Sequence, residues 1–267
     1  MPRWLRTALT ISAFAMFFFV TATLGAFALP LLFVFRSRFG DPRTFTRMLN
    51  SKMRLFGGFL QDAGLLSYWP LVLPEGYENR PLLVISNHPT LLDVVLTMSS
   101  LPQLCCVASA ARWESWLMGF MLKRTTFVPG PGLKTDDPLE TEIAFIGRME
   151  AKLREGEQLL VFPEGTRSTA TELRRFGRGA IEAAIRAEVP ILPLYIAVDP
   201  PFLMKGQHFT APEMTPIYRF EWFEPIDTAG HDLDSKKLTK ELAARYQLHF
   251  DELLTARVAN SASPRAA

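Results

Sequence analysis

Cysteine is nearly absent from this 267-residue chain: Cys105 and Cys106 are the only two. They are neighbours in an apolar, strand-like run, Leu104–Val107. Adjacent strand residues point to opposite faces, and no third cysteine exists to pair with either. A disulfide framework is therefore excluded, and both read as buried thiols suited to a reducing compartment. No Cys/His group has metal-ligand spacing, so no structural zinc is expected and no metal is assigned. Net charge is also small, +2, and no basic stripe interleaved with aromatics points to nucleic acid. The Gly-x-Ser-x-Gly elbow of serine hydrolases is missing around both Ser86 and Ser168. The Gly132-Leu133-Lys134-Thr135 ending of a Pro- and Gly-rich stretch, Pro129–Pro138, has a phosphate-loop flavour. Its glycine is not directly before the lysine and no helix follows at once, so it reads as a loop. Internal repeats are absent.

Charge is missing altogether from Ala8 to Phe35, a stretch rich in Phe, Leu and Ala. As one straight helix it spans about 42 Å, more than the roughly 30 Å hydrocarbon core of a bilayer. Three readings fit: a single tilted or Pro30-kinked membrane helix, a hairpin turning near Gly25 or Pro30, and a signal peptide cleaved after Ala26-Phe27-Ala28. The apolar character runs on to Phe35, which favours a retained anchor. Arg3 and Arg6 flank one side, Arg36, Arg38, Arg43 and Arg47 the other, and the richer cluster favours a cytoplasmic domain. The expected organisation is an anchor over 1–40, an amphipathic helix over 41–66, a catalytic domain over 67–258 and a disordered tail over 259–267. In the second segment Phe45, Met48, Leu49, Met53, Phe56 and Leu60 follow helical spacing, beside Arg47, Lys52 and Arg54. Such a helix either packs on its own domain or lies in a membrane interface, and periodicity does not separate the two.

From Pro81 onward, short apolar runs alternate with helical stretches. Strands are expected at Pro81–Ile85, Leu104–Val107, Thr125–Val128, Gln158–Phe162 and Val189–Ile196, with an edge strand in Tyr68–Glu75 and another at Ile217–Phe223. Helices are expected over Ala111–Leu122, Leu139–Arg154, up to Ala187 and over Ser235–Arg257. This alternation argues for an α/β fold, a mostly parallel central sheet flanked by helices, with a membrane-embedded helix or hairpin ahead of it.

Two stretches past strand ends carry chemistry. The first is Ser86-Asn87-His88-Pro89-Thr90-Leu91-Leu92-Asp93. Pro89 suits the first position of a helix, which leaves His88 just outside it. Residues five apart on one helix differ by about 140° in direction, so His88 reaches Asp93 only by folding back over the first turn. A carboxylate on one imidazole nitrogen fixes the tautomer and frees the other nitrogen as a base. The second stretch is Val161-Phe162-Pro163-Glu164-Gly165-Thr166-Arg167-Ser168.

In this order and spacing the two stretches resemble the glycerolipid acyltransferase family, which includes the lysophosphatidate (1-acylglycerol-3-phosphate) acyltransferases. That family carries an Asn-His-x-x-x-x-Asp block followed by Phe-Pro-Glu-Gly-Thr-Arg-Ser, and both blocks stand here intact. The resemblance covers Leu82 to Ala197. It implies an O-acyltransferase that moves a fatty acyl group from acyl-CoA or acyl carrier protein to the hydroxyl of a lysophospholipid-type acceptor, with no further cofactor. His88 would be the general base and Asp93 its orienting partner. Glu164, Gly165, Thr166 and Arg167 would bind the acceptor, with Arg presenting a donor fork to phosphate and Gly165 allowing close backbone approach. Backbone amides at the start of the following helix would stabilise the oxyanion, and Arg178 is a weaker candidate for anionic contacts. Membrane lipids and the thioester carrier are the implied partners. The implied location is a membrane, of bacterial inner-membrane type, with the domain on the cytoplasmic face. One departure stands out. Phosphate-handling members usually carry a Lys after the second strand and an Arg after the third; here those places read Val107–Arg112 and Val128–Gly132. A specialised non-glycerophosphate acceptor, a catalytically idle lipid binder and a thioesterase are the alternatives.

Overall fold

The computed structural model describes residues 1–34, 41–135, 137, 141–207, 209–230 and 233–262, with side chains of the first helix described through Phe19. In chain order the elements are α1 (Arg3–Val34), α2 (Pro42–Asp62), β1 (Ser67–Tyr68), β2 (Leu82–Ser86), α3 (Asp93–Ser100), β3 (Leu104–Ala108), α4 (Ala110–Glu114) and α5 (Trp116–Leu122). They continue with β4 (Val128–Pro129), α6 (Thr141–Arg154), β5 (Gln158–Val161), α7 (Gly179–Ala187), β6 (Ile191–Asp199), β7 (Ile217–Trp222) and α8 (Ser235–Ala262).

The seven strands form one sheet in the order β1-β7-β6-β2-β5-β3-β4. All pairings are parallel except β6 with β7. Every residue of β2 is buried, as expected of a strand covered on both faces by helices. Because β2, β3, β5 and β6 run the same way, the loops after Ser86, Ala108, Val161 and Asp199 all leave from one edge. In open α/β sheets that edge is where ligands bind.

Several sequence expectations shift. The edge strand shrinks to Ser67–Tyr68, and the strand at 125–128 moves to Val128–Pro129. The helix over Ala111–Leu122 is two helices, because Ser115 takes an extended conformation and its Oγ caps α5 by accepting from the Met118 and Gly119 amides. A serine that bonds its local backbone favours a cap over a helix interior. α3 begins at Asp93, so Pro89 is not its first residue. α8 runs on to Ala262, so 259–262 are helical rather than tail; 263–267 lie outside the described residues.

α1 is one helix from Arg3 to Val34, without the hairpin turn near Gly25 or Pro30. Arg36 and Arg38 lie outside the described residues. Among the described residues, no helix is long and apolar enough to cross a membrane. The first half of α1 docks on the domain: Ala13 and Phe14 join the core, and Phe14 meets the rings of Phe56 (5.7 Å) and Phe209 (5.2 Å). Trp4, Ile11 and Phe18, seven apart, face outward instead. α2 begins with Asp41 as cap and Pro42 at its first position, a strong helix start. It buries Thr46, Asn50, Phe56, Gly57 and Leu60 against the domain, while Met48, Leu55 and Phe59 stay exposed. Packing on the domain and presenting an apolar stripe are thus jobs of opposite faces.

Candidate active site

The chain leaves β2 at Ser86 and turns away from the sheet. Asn87 replaces the missing ladder: its side-chain amide donates to Ile196 O (2.9 Å), and its Oδ1 accepts from Ile196 N (2.7 Å). His88 is then delivered just beyond the carboxyl end of the central strand. Its Nδ1 lies 2.8 Å from Asp93 Oδ2, with 17% of the imidazole side chain exposed and Asp93 fully buried. The fold-back needed to join residues five apart is made by the carboxylate itself. Asp93 Oδ2 also accepts from Thr90 N (2.6 Å), and Oδ1 from the Thr90 hydroxyl. Thr90 Oγ1 in turn accepts from Leu92 N (3.1 Å) and the Tyr218 hydroxyl (3.3 Å). Burial, and then the neighbouring Asp93 charge, push the Tyr218 phenol above its ordinary range, so it stays a donor.

Block two arrives on the neighbouring strand. β2 and β5 pair in register to Ile85–Val161, so the residues after them sit side by side. Phe162 stacks on the His88 ring at 4.2 Å between centroids. Glu164, mostly buried, ties the blocks together. Its Oε1 accepts from His88 N (2.8 Å), and its Oε2 from the Ser168 hydroxyl and Arg174 N (3.0 Å). Ser168 N donates back to His88 O (2.8 Å). Arg167 donates from Nη1 to Leu203 O (3.0 Å), and Leu91 N donates to that same carbonyl (3.1 Å). A third loop, the one after β6, therefore closes the site.

With this geometry in view, the comparisons are specific. Residues 72–197 match the family model described as Acyltransferase, a range that contains both blocks. Over those residues the chain is similar to that family. It is 30% identical over 159 residues to human 1-acyl-sn-glycerol-3-phosphate acyltransferase beta, covering 57% of this chain and 53% of that one. The mouse alpha enzyme is 29% identical over 163 residues, 57% of this chain and 52% of its own. The chain thus spans about half the length of the curated relatives it matches. The crystal structure of the 1-acyl-sn-glycerophosphate acyltransferase PlsC from Thermotoga maritima superposes with a TM-score of 0.67. It is 21% identical and covers 94% of this chain and 98% of its own; at that identity it shares the fold.

Within this matched region the structure brings His88, Asp93, Glu164 and Arg167 to one edge. It also redistributes their partners. Both Glu164 oxygens already accept from the protein, three donors in all, which makes the carboxylate a tie between the two blocks. Gly165 has φ +66°, a left-handed conformation that favours glycine, and a Cβ there would meet open space. Its glycine thus serves the turn rather than a close approach within the chain. The amides of His88, Thr90, Leu91 and Leu92 each donate to a protein acceptor, and with α3 starting at Asp93 the helix-start amides are those of Asp93 and the residues after it. Pro89 has none to give. Arg178 is exposed and 3.8 Å from Glu142.

The departure at β3 and β4 also has a physical form. Gly130 N donates to Ala108 O (2.7 Å), and a Cβ at Gly130 would lie 3.1 Å from that oxygen. Backbone fills the place between these strand ends, and Arg112 stands exposed on α4 beside it. The two thiols of β3 are buried, and burial raises both, Cys106 to about 12 and Cys105 further. They stay protonated and inert. Sequence patterns missed Thr90, Ser168, Tyr218 and the Leu203 carbonyl. Thr90 and Ser168 lie inside the two blocks, where a hydroxyl beside a carboxylate was a readable signal. Tyr218 and Leu203 gave none.

Proposed function

We propose that the chain is an acyltransferase that moves a fatty acyl group from a thioester, on coenzyme A or acyl carrier protein, to the hydroxyl of a lysophospholipid-type acceptor such as 1-acylglycerol-3-phosphate. The observation carrying this reading is the His88 Nδ1–Asp93 Oδ2 contact of 2.8 Å at the carboxyl end of the central strand. With Nδ1 held by the carboxylate, Nε2 takes the acceptor's hydroxyl proton. The acceptor oxygen then attacks the thioester carbonyl. As the tetrahedral intermediate collapses, the C–S bond breaks and the thiolate recovers the proton from the imidazolium. With the amides from 88 to 92 engaged, oxyanion stabilisation falls to backbone amides at the start of α3 and in the turn after Glu164. Gly165, Thr166 and Arg167 contact the acceptor, and Glu164 belongs to the same subsite by fixing the turn against His88. No metal or other cofactor is invoked.

The acyltransferase sits at a membrane, with its domain on the side of the basic residues of α2. Trp4, Ile11 and Phe18 of α1, Leu55 and Phe59 of α2, and Trp116 of α5, 87% exposed, offer apolar and aromatic surface, which favours the lipid–water interface. Arg47 and Lys52 on α2 are exposed beside it and favour anionic headgroups. Replacing Leu55 and Phe59 together by Ser lowers binding to phosphatidylglycerol-containing vesicles about tenfold. Turnover of a short-chain, water-soluble acceptor is unaffected. Vesicle flotation measures the first; equal binding by both proteins would place the contact elsewhere.

The backbone contact between Gly130 and Ala108 supports a second reading, in which the acceptor is a specialised lipid without a glycerophosphate head. Incubation with labelled acyl-CoA and a panel of lysolipids, half of them lacking phosphate, decides between the two. The first reading yields an acylated phospholipid, the second an acylated neutral or zwitterionic lipid. Free fatty acid as sole product, or binding without transfer, overturns both.

A further inference from the structure

Arg6 occupies an unfavourable place. It is 6% exposed, in the first turn of α1, and no carboxylate pairs with it among the described residues. Burying a charge is unfavourable unless it is paired and hydrogen-bonded, and the positive end of a helix dipole disfavours a cation. Its compensation is two backbone carbonyls: Nη1 donates to Pro212 O (3.1 Å) and Glu213 O (2.9 Å), while Nε is buried without a partner among the described residues. Arg3 Nε donates to Ala211 O (3.1 Å), and Thr7 Oγ1 accepts from Ala211 N (3.0 Å). The first two turns of α1 thus grip the far part of the loop that follows β6.

The near part of that loop touches the chemistry. Leu203 has φ +55°, left-handed for a residue with a β-carbon, and is buried. This conformation is strained for a non-glycine residue and persists only where its surroundings impose it. It aims the Leu203 carbonyl at both Arg167 Nη1 and Leu91 N, and Met204 bridges to Thr90. Gln207 closes a turn on Met204, its N donating to Met204 O and its Oε1 accepting from Met204 N, each at 3.1 Å. Phe209 packs on Phe14 of α1.

We infer that Arg6 is a positioning residue for the acceptor subsite: by clamping the loop after β6 to α1, it holds the Leu203 carbonyl where it orients Arg167 and pins Leu91. The inference rests on the reading of Arg167 as the acceptor's cation. Arg6 touches no substrate, so its effect is selective. Arg6→Met raises the KM for 1-acylglycerol-3-phosphate about tenfold, while kcat and the KM for acyl-CoA change less than about twofold. Arg6→Lys, which keeps one donor near the two carbonyls, recovers part of the loss. Hydrogen exchange followed by mass spectrometry gives a readout independent of turnover: the peptide containing the Leu91 amide exchanges faster in Arg6→Met, and the α8 peptides do not.

Unchanged exchange at Leu91 in a folded Arg6→Met protein overturns the tether, as does a uniform loss in both KM values and kcat. Should Arg6→Met not fold, Thr7→Val, which removes only the acceptor of Ala211 N, is held to the same two criteria. Faster exchange with an unmoved acceptor KM in both Arg6→Met and Arg167→Ala keeps the tether and refutes the role given to Arg167. An acceptor KM raised by Arg167→Ala but not by Arg6→Met refutes the positioning role.

Discussion

His88→Ala lowers acyl transfer by about 10²–10⁴-fold, the range for loss of a positioned general base, and leaves the protein folded. The imidazole sits at the edge of the domain and contributes one bond to Asp93 and a stack on Phe162. Its removal leaves Asp93 with both of its Thr90 partners, so no buried carboxylate is stranded. The KM for acyl-CoA stays near that of the parent protein, because the lost interaction belongs to proton transfer. Asp93→Ala is a poorer test, since it also frees the Thr90 amide and hydroxyl inside the protein. Steady-state rates and a melting curve on the same preparation check the prediction. Turnover near the parent rate in a folded His88→Ala protein would remove the base and leave the mechanism without a proton acceptor.

Glu164→Ala is expected to cost both stability and activity. Three donors lose their acceptor at once: the His88 and Arg174 amides and the Ser168 hydroxyl. An unsatisfied buried donor costs about 1–3 kcal/mol. With water reaching part of the site, the loss is roughly 3 kcal/mol, or roughly 6–12 °C in melting temperature for a domain of this size. Activity falls about 10²-fold as the His88 segment loses its tie to block two, because misplacement of a catalytic group by about an ångström has that effect. Glu164→Gln keeps the volume and one acceptor oxygen and lands between. The thermal shift discriminates. A carboxylate whose chief task is to grip the acceptor leaves the melting temperature unmoved and raises the acceptor KM alone.

Legibility in the sequence followed the range of the interaction. The buried strand at Leu82–Ser86 announces itself as an unbroken apolar run, and the alternation that follows is enough for a mostly parallel sheet. The approach of His88 to Asp93 was readable because both lie in one short block. Its cause was not, since the fold-back depends on Thr90 and on a helix starting at Asp93 rather than Pro89. Glu164 shows the limit more sharply: its residue type fits a substrate ligand, but its partners at His88 and Arg174 arise only from the side-by-side placement of β2 and β5. Arg6 reads in sequence as a charge flanking an apolar segment. Nothing local reveals that carbonyls 206 and 207 positions away will bury it. The buried face of α2 was obscured for a different reason, as Thr46, Asn50 and Gly57 carry no hydrophobic signal and are buried by hydrogen bonds and close packing.

The docking of α1 sets a problem of timing. Its grips at Ala211, Pro212 and Glu213 lie more than two hundred positions downstream, so at about 5–20 residues per second the helix waits roughly 10–40 s for them during translation. An apolar helix left that long without its seat is an aggregation hazard unless a bilayer or a chaperone shelters it. Chain order thus obliges the start of the molecule to be sheltered until residue 213 has emerged, and the loop after β6 gains its seat only late in synthesis.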